Sequence, residues 1–350
     1  MNNESSPDSD PPLTNWKRHP LLKSIRHIAI LHTDFKRSYY HTENEYISDS
    51  DVKERSETIC KILQKYGFNA SVYKWGNDFI NIIKKDDTDL VINLVESIRG
   101  DGNLVHTIPA FFELFGISYT GSGSTSLNLN SNKFLTKELL KEYGVPTPGY
   151  TFITDRKDHV PKSLKYPLIV KLNTHLGGSI GIDNMSVCEN EVELKKKIDQ
   201  MFSVYKTPLI VEEFIDGREL SALVIETEKG LKTYIGEKVF NKEYKDGKYD
   251  LCSWDKVWTN EDAYGYEKFD DPKGRIKKLC EKVFNIFEAS GYIKYDIRLD
   301  KDNKPYFIDI NINSSFGYHS AIDNVPKMYG VSFEDTLFEV ILSARRKKFL

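Results

Sequence analysis

Tyr292-Ile-Lys-Tyr-Asp-Ile-Arg-Leu299, followed by Pro305-Tyr-Phe-Ile-Asp-Ile-Asn-Ile-Asn313, is the stretch on which the reading of this sequence turns. Both runs alternate in polarity, and along a strand residues two apart share a face. Lys294, Asp296 and Arg298 then share one face of the first strand, and Asp309, Asn311 and Asn313 one face of the second. The intervening Asp300-Lys-Asp-Asn-Lys304 has the composition of a turn. Paired as a hairpin, the two strands bring carboxylates and amides together beside a lysine. Oxygen donors of this kind, backed by Ile308, Ile310 and Ile312 on the opposite face, suit Mg²⁺ held together with substrate phosphates. The same alternation also fits a half-buried hairpin with a polar outer face.

Three earlier segments add to this picture. Lys171 ends an apolar strand and precedes a glycine-rich loop, Gly177-Gly-Ser-Ile-Gly181. Glycines let backbone N–H groups approach an anion, and Ser179 adds a hydroxyl donor. The lysine precedes the glycines, which is not the Walker order. A tight hairpin is the other reading. Ile210-Val-Glu-Glu-Phe-Ile-Asp-Gly-Arg-Glu219 is an apolar strand ending in paired acids, suited to an adenine edge at Glu212 to Ile215 and to ribose hydroxyls at Glu219, or else to a solvated strand end. Lys133 stands at the start of a helix, where a cation opposes the macrodipole; a phosphate contact would account for it, and a solvent-facing role is the other reading.

Outward from these, the alternation of elements is that of an α/β protein. Residues 1–20 are polar and read as a flexible tail. Residues 21–145 read as an N-terminal α/β domain, with strands at His27 to Leu31, Asn69 to Tyr73 and Asp89 to Val95, and a helix from Asp51 to Tyr66. The long polar connection from His32 to Ser50 has the length of a functional loop. Gly144-Val-Pro-Thr-Pro148 breaks the next helix, so 146–230 reads as a central domain and 231–350 as a C-terminal one. The aromatic stretch from Tyr244 to Tyr266 reads as a lid over an acceptor site or as surface aromatics burying a loop or a subunit contact.

The 350 residues carry 49 Lys plus Arg against 52 Asp plus Glu, a balance of −3 that excludes a broadly basic nucleic-acid binder. Apolar runs fall short of a membrane span. Four scattered cysteines without a CxxC argue against a disulfide framework and for a reducing cytoplasm.

In this order, and together with Asn93-Leu-Val-Glu96 and Ile108-Pro-Ala-Phe-Phe-Glu-Leu-Phe-Gly-Ile-Ser-Tyr-Thr-Gly-Ser-Gly123, the segments resemble the ATP-grasp superfamily, most closely its D-alanine–D-alanine ligase branch and the relatives outside cell-wall synthesis. The resemblance implies a three-domain ATP-grasp fold with ATP between the central and C-terminal domains. It implies Lys133 and Lys171 on the phosphates, and Gly177, Gly178 and Ser179 in a closing loop. Glu212, Glu213 and Ile215 would meet adenine and Glu219 ribose, with Lys238, in Gly236-Glu-Lys-Val239, as the later nucleotide-binding lysine of the central sheet. Asp296, Asp309 and Asn311 would hold two Mg²⁺, with Mn²⁺ able to substitute. Lys294 and Ser179 are the catalytic candidates, and Glu96, His175 and Asn313 the substrate contacts. The family usually has Glu at Asp309 and Arg at Lys294. The activity implied is ATP-dependent carboxylate–amine ligation through an acylphosphate, on an amino acid or amino-acid-like metabolite other than two D-alanines, by a cytoplasmic homodimer. An ATP-grasp kinase and a non-catalytic nucleotide-binding regulator are the alternatives.

Overall fold

The structure, a computed structural model, describes residues 16–76, 79–85, 88–174, 179–245, 247–260 and 262–347. Most of the expected tail lies outside these residues. From Trp16 the chain is packed, with the indole stacked on Phe338 at 5.1 Å between centroids.

Three sheets build the molecule. The first is parallel, with β1 (Ile28–His32) between β2 (Ala70–Lys74) and β3 (Leu90–Leu94). Every residue of β1 and β3 is buried, as expected of strands covered on both faces. The connection after β1 is not the open loop its polarity implied. It holds a helix, Glu43–Ser50, started by a capping box in which Thr42 and Glu45 bond reciprocally. The Thr-x-x-Glu signal for it stands in the sequence.

The second sheet is antiparallel, in the order β4 (Tyr150–Ile153), β7 (Leu209–Glu213), β5 (Leu168–Leu172) and β6 (Val187–Cys188). Helix Glu191–Tyr205 covers it with Leu194, Ile198, Met201 and Phe202, whose helical spacing makes one apolar face.

The third sheet runs β10 (Tyr264–Lys268), β9 (Gly230–Phe240), β8 (Arg218–Thr227), β11 (Tyr292–Leu299) and β12 (Pro305–Ile312), antiparallel throughout. Here the structure corrects the expected domain division. β8, placed with 146–230, is the middle strand of the third sheet and forms a hairpin with β9 across the 230/231 boundary. The period of two along β8 explains its place. Leu220, Ala222 and Val224 join a core with helix Arg275–Ile286 on one face, while Leu223 and Ile225 pack on the other with Phe338. A strand buried on both faces belongs inside a sheet. Helix Arg275–Ile286 begins where the Asp271 carboxylate accepts the backbone N–H groups of Arg275 and Lys277 at 3.0 and 2.9 Å.

The chain crosses from the second sheet to the third at residues 214–217, and a Cβ at Gly217 would collide with the carbonyl oxygen of Leu299. That close crossing brings the ends of β7 and β8 to one side of a cleft between the two sheets.

Candidate active site

The hairpin read from the sequence is present. Lys294 pairs with Asn311 and Asp296 with Asp309 in antiparallel register, so the two carboxylates stand directly opposite each other. A bulge follows, where Ile297 pairs with Phe307 and Ile308 has no cross-strand partner. This corrects one detail. Ile310 and Ile312 are buried in the core, but the bulge turns Ile308 toward the cleft, where its carbonyl lies 3.4 Å from Lys171 Nζ.

The cleft encloses about 1050 Å³, lined by all three regions of the chain. Of the expected residues that the structure describes, Lys133, Lys171, Ser179, Glu212, Glu213, Ile215, Glu219 and Lys238 line it. So do Lys294, Asp296, Asp309, Asn311, Asn313 and Glu96. His175, Gly177 and Gly178 lie outside the described residues.

Three charge clusters organise its walls. In the first, Lys238 Nζ bridges Glu219 Oε1 at 2.6 Å and Asp296 Oδ1 at 3.1 Å. Arg298 takes the second oxygen of Glu219 at 3.1 Å, and Lys294 lies 2.8 Å from Asp296 Oδ2. Ser221 and Asn311 also donate to Asp296, at 3.2 and 3.1 Å. Burial alone would push Asp296 up, but the ammonium groups of Lys238 and Lys294 outweigh it and hold the carboxyl well below its usual range. In the second cluster, Lys133 lies 2.6 Å from Asp309, and Glu212 sits between Lys171 at 3.1 Å and Lys137 at 3.3 Å.

The third cluster belongs to the first sheet. Glu96 pairs with Arg55 at 2.9 Å, Arg55 with Asp51 at 2.8 Å, and Asp49 accepts from Tyr40 at 2.7 Å and from Ser97. Burial pushes Glu96 up to about 7 in spite of Arg55. A carboxyl whose folded-state pKa is raised makes the folded protein the tighter proton binder, so its contribution to stability falls as pH rises from about 4.5 to about 7. Glu96→Gln is expected to flatten this fall, read as a smaller loss of melting temperature between about pH 5 and about pH 8 than in the unsubstituted protein. An equal loss in both would contradict the assignment.

Two expected residues are placed differently from their reading. The Glu213 carboxylate turns away from the cleft to accept the Lys165 N–H at 2.8 Å, because successive strand residues face opposite sides. Asn313 Oδ1 accepts the Ser122 N–H at 2.7 Å, tying the hairpin's end to the N-terminal region, while its Nδ2 is buried without a hydrogen-bond partner. Part of the aromatic stretch lines the cleft, through Trp258, Tyr264 and Tyr266, while Trp254 is buried in the core of the second sheet. The Trp254 backbone N–H donates to Ile182 at 3.0 Å, and its indole N–H to Ser48 Oγ at 3.1 Å. Arg55 and Lys137 escaped the reading, although Asp51 with Arg55 and Lys133 with Lys137 each stand four apart on a helix face, the spacing of neighbours.

Among the described residues, no three His, Cys, Asp or Glu side chains are grouped to hold a metal ion. The donor set is two carboxylates and an amide. Such a set fits a hard cation whose remaining ligands are water and phosphate, and not a cage built by protein alone.

Comparison with known proteins bears on the family and the fold. The sequence model of the family described as "D-ala D-ala ligase C-terminus" matches residues 139–342. The chain is 25% identical over 273 residues, 74% of its length and 76% of the relative's, to the uncharacterized protein y4sG of Sinorhizobium fredii. It is 28% identical over 270 residues, 72% of its length and 71% of the relative's, to a D-alanine–D-alanine ligase of Thermosipho africanus. A solved D-alanine–D-alanine ligase of Bacillus anthracis, complexed with ATP, superposes with a TM-score of 0.72 at 18% identity, covering 92% of this chain and 98% of that one. At that identity the superposition establishes the fold.

Proposed function

The chain belongs to the D-ala D-ala ligase C-terminus family, an ATP-grasp family, and on that premise we propose that it is an ATP-dependent ligase that joins a carboxylate to an amine. The carboxylate would be phosphorylated by ATP, and the amine would displace phosphate from the acylphosphate to leave an amide, ADP and phosphate. The observation that carries the proposal is the cross-strand pair Asp296 and Asp309 facing Lys133 and Lys171 within one cleft. Phosphoryl transfer asks mainly for positioning and charge neutralisation, and this is where the charges gather.

In this reading Lys133 and Lys171 bind the phosphates, and the strand end at Glu213 to Ile215 borders the adenine. Glu219, gripped by Lys238 and Arg298, borders the ribose. Asp296, Asp309 and Asn311 would hold Mg²⁺, which when bound neutralises charge on the transferring phosphoryl group. Lys294, on the same strand face as Asp296, supplies a point charge to the developing oxyanion, without the bidentate fork of an arginine. Trp258 and the Ser179 turn, both on the cleft wall, would keep water from the acylphosphate. The substrates we assign are amino acids or amino-acid-like metabolites. The third charge cluster, with Glu96 and Arg55, offers polar partners at the end of the cleft away from the nucleotide. No helix of the described residues is long and apolar enough to cross a membrane.

The test is ADP release over a matrix of amino acids and amines, with products identified by mass spectrometry. ADP formation that requires both an acid and an amine, with a matching amide mass, is the expected result. A stable phosphorylated product and no amide would replace the ligase reading with a kinase.

A further inference from the structure

The pair Lys133 and Lys137 puts two ammonium groups on one face of helix Lys133–Glu142, one turn apart. Lys133 reaches Asp309 at the mouth of the cleft. Lys137 is set deeper, at 3% exposure, with its Nζ 3.3 Å from Glu212 Oε1 and donating to Thr147 Oγ1 at 3.0 Å. Thr147 in turn donates to the Phe307 carbonyl at 3.1 Å, so the ammonium group is fastened from the side away from Glu212. Glu212 is itself wholly buried, and Lys171 holds its other oxygen at 3.1 Å.

Lys171 thus has two duties that compete for one ammonium group. Without nucleotide it compensates a buried carboxylate, and with nucleotide it must reach a phosphate. A buried carboxylate left without a cation is heavily penalised, so that move would be opposed if Lys171 were the sole partner of Glu212. A second lysine that never leaves removes the conflict.

We propose that Lys137 is a positioning residue: it stays on Glu212 as a fixed counter-charge and thereby frees Lys171 to transfer to the nucleotide. The inference rests on ATP occupying this cleft. It assigns Glu212 the role of a parking site for the phosphate lysine, in place of the adenine contact expected from the sequence. It also explains why two lysines meet one carboxylate here.

Binding of a non-hydrolysable ATP analogue, measured by calorimetry, tests it. Lys137→Met should fold, since Lys171 still compensates Glu212 without nucleotide, and should bind the analogue at least tenfold more weakly. In turnover KM for ATP should rise by a similar factor while kcat stays within about threefold. Adding Glu212→Gln should restore binding to within about threefold of the unsubstituted protein, because a neutral amide needs no counter-ion. Lys137→Arg should bind like the unsubstituted protein. A Lys137→Met protein with undiminished affinity overturns the proposal, as does a folded Lys137→Met, Glu212→Gln protein that binds as weakly as Lys137→Met alone. Should Lys137→Met fail to fold, the double variant decides alone: affinity within threefold supports the proposal and a tenfold loss overturns it. Absence of analogue binding by the unsubstituted protein would overturn the nucleotide assignment itself, a different result from either.

Discussion

Asp309→Asn is expected to reduce substrate-dependent ADP release by about 10³-fold, roughly 4 kcal/mol of transition-state stabilisation. The substitution keeps size and shape, so the hairpin and its bulge should persist. What changes is charge. Asp309 stands opposite Asp296 across the strand pair and 2.6 Å from the ammonium of Lys133. Removing it leaves Asp296 as the one carboxylate of the proposed donor set, and Asp296 is already gripped by Lys238 and Lys294. An ion competing for Asp296 must displace those lysines, and at Asp309 it meets the ammonium of Lys133 and shares Oδ1 with the Ile310 N–H at 3.1 Å. Loss of Asp309 should therefore weaken Mn²⁺ binding, followed by electron paramagnetic resonance, together with turnover. Turnover and Mn²⁺ affinity both unchanged would remove Asp309 from the metal site and with it the central assignment of the proposed function.

That the fold was readable follows from where its signals lie. The β11–β12 hairpin, the parallel strands and helix Glu191–Tyr205 are specified by local periodicity, which a single sequence displays. The strand ends at Lys171 and Glu212 carried enough unusual polarity to be singled out. The sequence did not disclose partnerships. Glu212 reads equally well as an adenine contact or as a lysine partner until Lys137, 75 positions earlier, is seen beside it. The 230/231 boundary misplaced β8, because a strand buried on both faces looks the same whichever sheet receives it. Ile308 was misdirected by a bulge, which inserts one residue without any mark in the alternation. Arg55 was passed over because its pairing with Glu96 spans 41 positions. These misses involve tertiary choices between locally equivalent options.

Glu219→Gln is the substitution from which the largest loss of stability is expected. Glu219 is 4% exposed, and both its oxygens are committed, one to Lys238 at 2.6 Å and one to Arg298 at 3.1 Å. The cluster holds three cations, Lys238, Lys294 and Arg298, against two carboxylates, Glu219 and Asp296. Neutralising Glu219 leaves three cations facing Asp296 alone. Arg298 cannot shed its proton, and it is held in place by the carbonyl groups of Gly217 and Asp250 and by the face of Phe214 at 4.6 Å. Breaking a buried pair from one side costs on the order of 3–5 kcal/mol, and a drop of melting temperature of roughly 10 °C should follow. Burial would raise Glu219, yet Lys238 and Arg298 hold it below its ordinary range, and Asp296 behaves alike. A depressed carboxylate stabilises fully above its unfolded pKa and loses that contribution as pH falls through the lower folded value. The unsubstituted protein should therefore lose this stability in acid below about pH 4, and Glu219→Gln should lose less of it. Adding Lys238→Met to Glu219→Gln should recover part of the loss, since the second change removes the cation that the first stranded. A single variant that melts with the unsubstituted protein would show that the cluster is solvated and its charges independent, and the site would then lack the rigid wall against which Asp296 is held.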